Sequence, residues 1–95
     1  MSEKNIVRKR MIIRGNVQGC GFRRRMRDMA EKIGTAGWVR NNPDGSVVVE
    51  IQGTEQQIED TLKSVENSDA LIIIRKIDVF DIPVEIGDSG FGIGS

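Results

Sequence analysis

The spacing of apolar residues predicts a strand, a loop and a helix in the first third of the chain. Residues 6–14 alternate Val7, Met11 and Ile13 with arginines, and this period of two is typical of a strand with one covered face. Residues 15–21 hold three glycines in seven positions and predict a loop. Helical spacing then predicts an amphipathic helix that ends before Gly34, with apolar positions Phe22, Met26, Met29, Ala30 and Ile33.

A β-hairpin is predicted after this helix. Residues 37–41 and 46–52 have strand-like patterns and flank the tetrapeptide Asn42-Pro43-Asp44-Gly45. Proline presets φ and glycine tolerates a positive φ, so the tetrapeptide favours a tight turn between the two strands.

A second helix and further strands complete the pattern. Thr54 followed by Gln57 is typical of a helix capping box. Residues 71–79 are rich in Ile and Val and predict a fourth strand, and Phe91 with Ile93 predicts a short edge strand in a glycine-rich tail.

The order β-α-β-β-α-β predicts the fold class. We expect an α+β ferredoxin-like sandwich, with a four- to five-stranded antiparallel sheet and two helices on one face. No internal repeat or linker interrupts the 95 residues. We therefore expect a single domain over residues 1–95.

Composition excludes several kinds of site. The chain has no histidine, no tyrosine and one cysteine, which excludes serine–histidine and cysteine–histidine catalysis, cysteine-cluster zinc sites and an internal disulfide. The longest apolar run, residues 70–74, is five residues long, whereas a membrane helix needs about 20. The first ten residues lack the apolar segment of a secretory signal. We expect a cytoplasmic protein without metal, cofactor or membrane contact.

Charge is balanced overall but divided between the two halves of the chain. Residues 1–42 contain eleven basic and three acidic residues, a net charge of +8, and residues 43–95 carry −8. This division has two interpretations. The halves form solvated faces that pair with each other, or the basic half contains a site for phosphate, nucleotide or nucleic acid.

The loop before the first helix favours the anion site. A glycine-rich loop can turn several main-chain N–H groups toward one point, and a helix N-terminus adds partial positive charge there. Arg23 adds a planar donor suited to phosphate oxygens, whereas Arg24, Arg25 and Arg27 are expected on a solvated helix face. The Walker A and G-x-G-x-x-G patterns do not fit these residues. The alternative is an ordinary turn followed by solvated arginines.

These residues also resemble the signature of a known family. The run Gly15-Asn16-Val17-Gln18-Gly19-Cys20-Gly21-Phe22-Arg23, followed by Gly37-Trp38-Val39-Arg40-Asn41 and Asp44-Gly45-Ser46-Val47, is similar to the acylphosphatase signature. The resemblance extends to Gln52-Gly53 and implies a ferredoxin-like fold. It also implies metal-independent hydrolysis of a carboxyl–phosphate mixed anhydride to carboxylate and inorganic phosphate. Cys20 departs from the pattern, since the family usually has an apolar residue there.

The same resemblance implies roles for individual residues. Loop N–H groups and Arg23 hold the phosphate, and Asn41 orients the attacking water. The implied phosphate-binding residues are Gly15, Asn16, Val17, Gln18, Gly19, Cys20, Gly21, Phe22 and Arg23. The expected partners are a small acyl phosphate and inorganic phosphate, which is the product and a competing ligand, and the expected state is a monomer.

Two other functions stay open at this point. The chain could be a non-catalytic module that binds an anion or RNA, although it lacks the paired aromatic residues that stack on bases, so nucleic acid is not the expected ligand. It could also be a copy of a domain that serves carbamoyl phosphate chemistry in a larger protein. We expect Trp38 to pack on the sheet and Cys20 to pack as a small apolar residue.

Overall fold

The computed structural model describes residues 5–94 and contains five strands and two helices. Residues 1–4 and 95 of the expected domain lie outside this range. The predicted order β-α-β-β-α-β is confirmed, with a fifth strand at its end. The elements are β1 (Val7–Asn16), α1 (Phe22–Ile33), β2 (Ala36–Asn41), β3 (Val47–Gly53), α2 (Glu55–Glu66), β4 (Ile73–Ile82) and β5 (Phe91–Ile93).

The sheet is mixed, so the prediction of a wholly antiparallel sheet is wrong at one edge. The strand order is β4-β1-β3-β2-β5, and β5 pairs with β2 in parallel, with Phe91 opposite Gly37. The parallel direction of β5 results from the position of β4 and β5 at opposite edges of the sheet. Residues 83–90, the crossing segment, join the two edges, and β5 therefore runs opposite to β4 and in the same direction as β2.

One hydrophobic layer between the sheet and the helices forms the core. Alternate residues of β1 and β3 point into it, and α1 and α2 supply the opposing side chains. Its most buried members include Ile13, Phe22, Met26, Val39, Val49, Ile51 and Val65. Thr54 and Gln57 form the predicted capping box at the start of α2, with reciprocal hydrogen bonds of 3.1 and 2.9 Å.

β1 is longer than its local pattern predicts. Gly15 and Asn16, expected in the loop, pair instead with Ile74 and Ile73 of β4 after a register shift. Gly15 has φ +142°, and a Cβ there would lie 2.0 Å from the carbonyl oxygen of Ile73. The close approach of two strands far apart in sequence therefore requires glycine at this position.

Arg8 is buried, although the alternating pattern predicts it on the solvated face of β1. Its side chain is 1% exposed and contacts Glu50 at 3.2 Å and Asp88 at 2.8 Å. Burial lowers the pKa of Arg8, but the hydrogen bonds that it donates to Asp88 and Glu50, together with the charge of Glu85, raise it above its ordinary value. The crossing segment covers this position. Its ion pairs with Arg8, from Glu85 and Asp88, hold the chain that leads to β5 against β1.

Candidate active site

The loop after β1, the first turn of α1 and the ends of β2 and β5 enclose an open cavity of about 400 Å³. Two arginines line it, and no Asp or Glu among residues 5–94 does so. Six of the expected phosphate-binding residues line it, and Asn41 does so as well. The lining residues are Val17, Gln18, Gly19, Gly21, Phe22, Arg23, Arg24, Asn41 and Ile93.

Helix α1 begins at this cavity without a side-chain cap. Gly21 precedes the helix with φ +81°, and no side chain of the described part of the chain caps the first turn by a hydrogen bond. Gly19 also has a positive φ, +77°, with no atom within 4 Å of where a Cβ would lie. The N–H groups of the first turn therefore keep their capacity to bind an anion, and the helix dipole favours negative charge at this end.

Arg23 is fixed at the side of the cavity by the chain that follows β5. Its Nη1 donates to the carbonyl oxygen of Gly94 over 3.0 Å, and its side chain is half-buried. Within residues 5–94 the guanidinium makes no ion pair. Its remaining donors are available to a ligand.

Asn41 is the last residue of β2 and lines the same cavity. Its Oδ1 is buried and accepts no hydrogen bond from the described residues. A buried amide oxygen without a donor is unusual in folded proteins and commonly marks the place of a water or a ligand. A half-turn of the amide plane exchanges Oδ1 and Nδ2, so this side chain can present an acceptor or a donor to the cavity.

Gln18 connects the loop to the hairpin that carries Asn41. Its side-chain amide donates to the carbonyl oxygens of Asn42 and Ser46, each at 2.8 Å.

The hairpin has its own network, in which Ser46 donates to Asp44 through both its hydroxyl and its N–H. Both bonds lower the pKa of Asp44, and the bond from the hydroxyl has the larger effect. The nearby Arg14 lowers this pKa further.

Part of the basic first half pairs with the acidic second half, as one interpretation of the charge division expects. Ion pairs join Arg8 to Glu50 and Asp88, Lys9 to Asp81, Arg14 to Asp44, and Arg25 to Asp69. Arg25 is not simply solvated as expected, because the half-buried side chain also donates to the carbonyl oxygen of Ser68. Among the described residues, Arg23 and Arg24 form no such pair, so positive charge remains at the cavity.

Three of the expected phosphate-binding residues do not line the cavity. Gly15 and Asn16 belong to β1, and Asn16 donates its side-chain amide to the carbonyl oxygen of Leu71. The sulfur of Cys20 lies 3.7 Å from the carbonyl oxygen of Asn16 and packs against the core. Trp38 is also outside the cavity, where the Arg40 guanidinium lies 5.1 Å from its ring centroid.

The structure adds two residues to the cavity that the sequence did not assign to it. Arg24 lies one position after Arg23, and Ile93 comes from β5. The sequence placed Ile93 in a short edge strand, and this prediction gave no position relative to the loop.

Among residues 5–94, no group of three or more Cys, Asp or Glu side chains is arranged to hold a metal ion. In the same part of the chain, neither helix has the length and apolar character needed to cross a membrane.

Comparison with known proteins identifies the family. The family model for acylphosphatase matches residues 9–93. The acylphosphatase of Thiobacillus denitrificans is 39% identical over 79 residues, which cover 83% of this chain and 86% of that protein.

Solved structures agree with this result. The acylphosphatase of Bacillus subtilis superposes with a TM-score of 0.83 at 31% identity, over 96% of this chain and 100% of that one. A full-length HypF solved in its phosphate- and nucleotide-bound form superposes with a TM-score of 0.84 at 30% identity, over 99% of this chain and 12% of HypF. The resemblance in the sequence is thereby confirmed, and the chain belongs to the acylphosphatase family of enzymes.

Proposed function

We propose that this chain hydrolyses acyl phosphates in the cavity between the loop and β2, by direct attack of water on phosphorus. The observation that supports this most strongly is the meeting of three groups in one cavity. These are the uncapped start of α1, the guanidinium of Arg23, which forms no ion pair within residues 5–94, and the amide of Asn41. The expectation of a monomer remains part of this proposal.

The phosphate dianion is held from the loop side. Main-chain N–H groups of the loop and of the first turn of α1 donate to its oxygens, and Arg23 donates from the side. Hydrogen bonds to a charged group are each worth about 1.5–3 kcal/mol. The bond from Arg23 to Gly94 fixes the guanidinium before substrate arrives, which lowers the entropy lost on binding.

Asn41 orients the water rather than deprotonating it. An amide oxygen accepts a hydrogen bond from water but is not a base, so the proton passes to an oxygen of the substrate phosphate. The new bond forms between the water oxygen and phosphorus, and the bond between phosphorus and the acyl oxygen breaks with its electron pair. The carboxylate leaves without help from an acid, and a loose phosphoryl transition state mainly requires positioning and charge stabilisation.

An assay of benzoyl phosphate hydrolysis tests this function. Purified protein is mixed with substrate and excess EDTA, and inorganic phosphate is added as a competitor. We expect turnover that resists the chelator, is inhibited competitively by phosphate, and is retained by Arg27→Gln, whose arginine pairs with Asp28 outside the cavity.

Two results would contradict the proposal. One is salt-sensitive RNA binding without turnover, which favours the binding module. The other is a pH–rate profile that requires a protein base titrating near neutrality, which is incompatible with the role given to Asn41.

A further inference from the structure

Arg24 is a free positive charge at the cavity. Arg24 is exposed and is one of the residues that line the cavity, and its side chain makes no hydrogen bond or ion pair with any described residue. Its neighbours on α1 differ in this respect. Arg23 donates to Gly94, Arg25 pairs with Asp69, and Arg27 pairs with Asp28.

The position of Arg24 on the helix explains why it can reach the cavity. Phe22 and Met26 point into the core, which places residue 24 on the outer side of the first turn. Helical side chains lean toward the helix N-terminus, so an arginine in the first turn lies back over the end where the loop joins the helix. The guanidinium therefore borders the cavity without being needed to build its floor.

The phosphate subsite leaves part of the cavity for the acyl group. At about 400 Å³ the cavity is of the size that binds a small organic molecule, and the loop amides with Arg23 occupy one side of it. The remaining lining includes the exposed residues Arg24 and Ile93, and none of the described carboxylates belongs to it. An acyl group here meets a hydrocarbon surface and an uncompensated cation.

We infer that Arg24 selects acyl phosphates whose acyl group carries a second negative charge, such as the monophosphates of dicarboxylic acids. This inference rests on the proposed function and names the substrate class of the same site. The phosphate binds to the loop and Arg23, the carbon chain lies against Ile93, and the distal carboxylate pairs with Arg24. Arg24 is a binding residue in this scheme and takes no part in the chemical step.

Two aromatic substrates of nearly equal shape separate charge from size. 4-Carboxybenzoyl phosphate carries a distal carboxylate that cannot reach its own anhydride, and 4-carbamoylbenzoyl phosphate replaces it with a neutral amide. The measured quantity is the ratio of kcat/KM for the two substrates in each variant, so that their different intrinsic reactivities cancel between variants. The variants are Arg24→Gln, Arg24→Lys and the matched control Arg27→Gln, all assayed at one fixed low ionic strength.

The expected result is that Arg24→Gln lowers the ratio about three- to fivefold, which corresponds to the upper range for an exposed ion pair. Arg24→Lys retains part of the preference, because the charge remains. Arg27→Gln leaves the ratio unchanged, because that guanidinium lies outside the cavity. Any effect of Arg24 on the bound phosphate acts on both substrates and cancels in the ratio.

Two outcomes would overturn the inference while leaving the proposed function intact. An unchanged ratio in Arg24→Gln shows that Arg24 does not contact the acyl group. An equal fall of the ratio in Arg27→Gln shows that the overall positive charge of the helix, rather than a subsite at Arg24, favours the charged substrate. If the original protein hydrolyses neither substrate, the proposed function itself fails and the inference fails with it.

Discussion

The side-chain amide of Gln18 donates a 2.8 Å hydrogen bond to the main-chain carbonyl oxygen of Ser46, across 28 positions of sequence. The same amide donates at 2.8 Å to the carbonyl oxygen of Asn42, the residue after Asn41. The loop that is proposed to bind phosphate and the hairpin that carries Asn41 are therefore fixed relative to each other. The separation between the phosphate and the water to be oriented depends on this contact.

Replacing Gln18 by methionine removes both donors at nearly constant side-chain length. We expect kcat to fall about ten- to a hundredfold, because a small displacement of an orienting group is costly in rate. The inhibition constant of phosphate should change much less, since the loop amides and Arg23 remain. The control is Gln56→Met, whose amide bonds only to Asp60 on the exposed face of α2. Equal losses of phosphate affinity and kcat would show that Gln18 acts on the loop rather than through Asn41.

Local patterns predicted the parts of this fold that are built from neighbouring residues. The stripe of apolar residues in α1, the capping box of Thr54 and Gln57, and the hairpin around Pro43 all follow from contacts within a few positions. The candidate site could be inferred for the same reason, because the loop and Arg23 are adjacent in sequence.

Long-range contacts account for what the sequence did not predict. Arg8 is buried by Asp88, 80 positions away, and no local pattern carries that information. Pairing with Ile74 draws Gly15 into β1, and the crossing segment determines the parallel direction of β5. The direction of the Gln18 side chain depends on where the hairpin lies, so the sequence did not predict its bond to the carbonyl oxygen of Ser46.

Cys20 should be dispensable for catalysis. Its sulfur packs against the core, lies 3.7 Å from a carbonyl oxygen and does not line the cavity. We expect Cys20→Val to hydrolyse benzoyl phosphate with kcat/KM within about twofold of the original, as for an apolar exchange of similar volume. A hundredfold fall would instead identify the thiol as a nucleophile.

The buried charge of Arg8 should stabilise the fold strongly. Arg8→Met removes the buried cation between Glu50 and Asp88, and breaking a buried pair in this way costs about 3–5 kcal/mol. Arg10→Met is the matched control, because Arg10 also pairs with Glu50 but is 44% exposed, and it should cost less than about 1 kcal/mol. Urea denaturation at pH 7 measures both free energies of unfolding. Similar values for the two variants would contradict the importance of the crossing segment.

Asp44 should make the free energy of unfolding depend on pH in the acid range. Its pKa is lowered by the hydroxyl and then the N–H of Ser46, so the stabilisation is present above the pKa of the unfolded state. It is lost as the pH falls through the lower pKa of the folded state. The difference in free energy of unfolding between the original protein and Asp44→Asn should therefore shrink from pH 7 to pH 2. Glu59→Gln, on the exposed face of α2, is the control, and a difference that stays constant or grows in acid would contradict this assignment.

In the proposed mechanism Arg23 holds the phosphate and Asn41 orients the water. The most direct test measures both benzoyl phosphate turnover and inhibition by phosphate for the alanine variant of each residue. We expect Asn41→Ala to lower kcat by about 10²–10³ while the phosphate inhibition constant stays within about threefold, because only the water loses its partner. Arg23→Ala should lose both turnover and phosphate inhibition. Phosphate affinity that falls in parallel with kcat in Asn41→Ala, or turnover that stays near the original rate in either variant, would contradict the proposed mechanism.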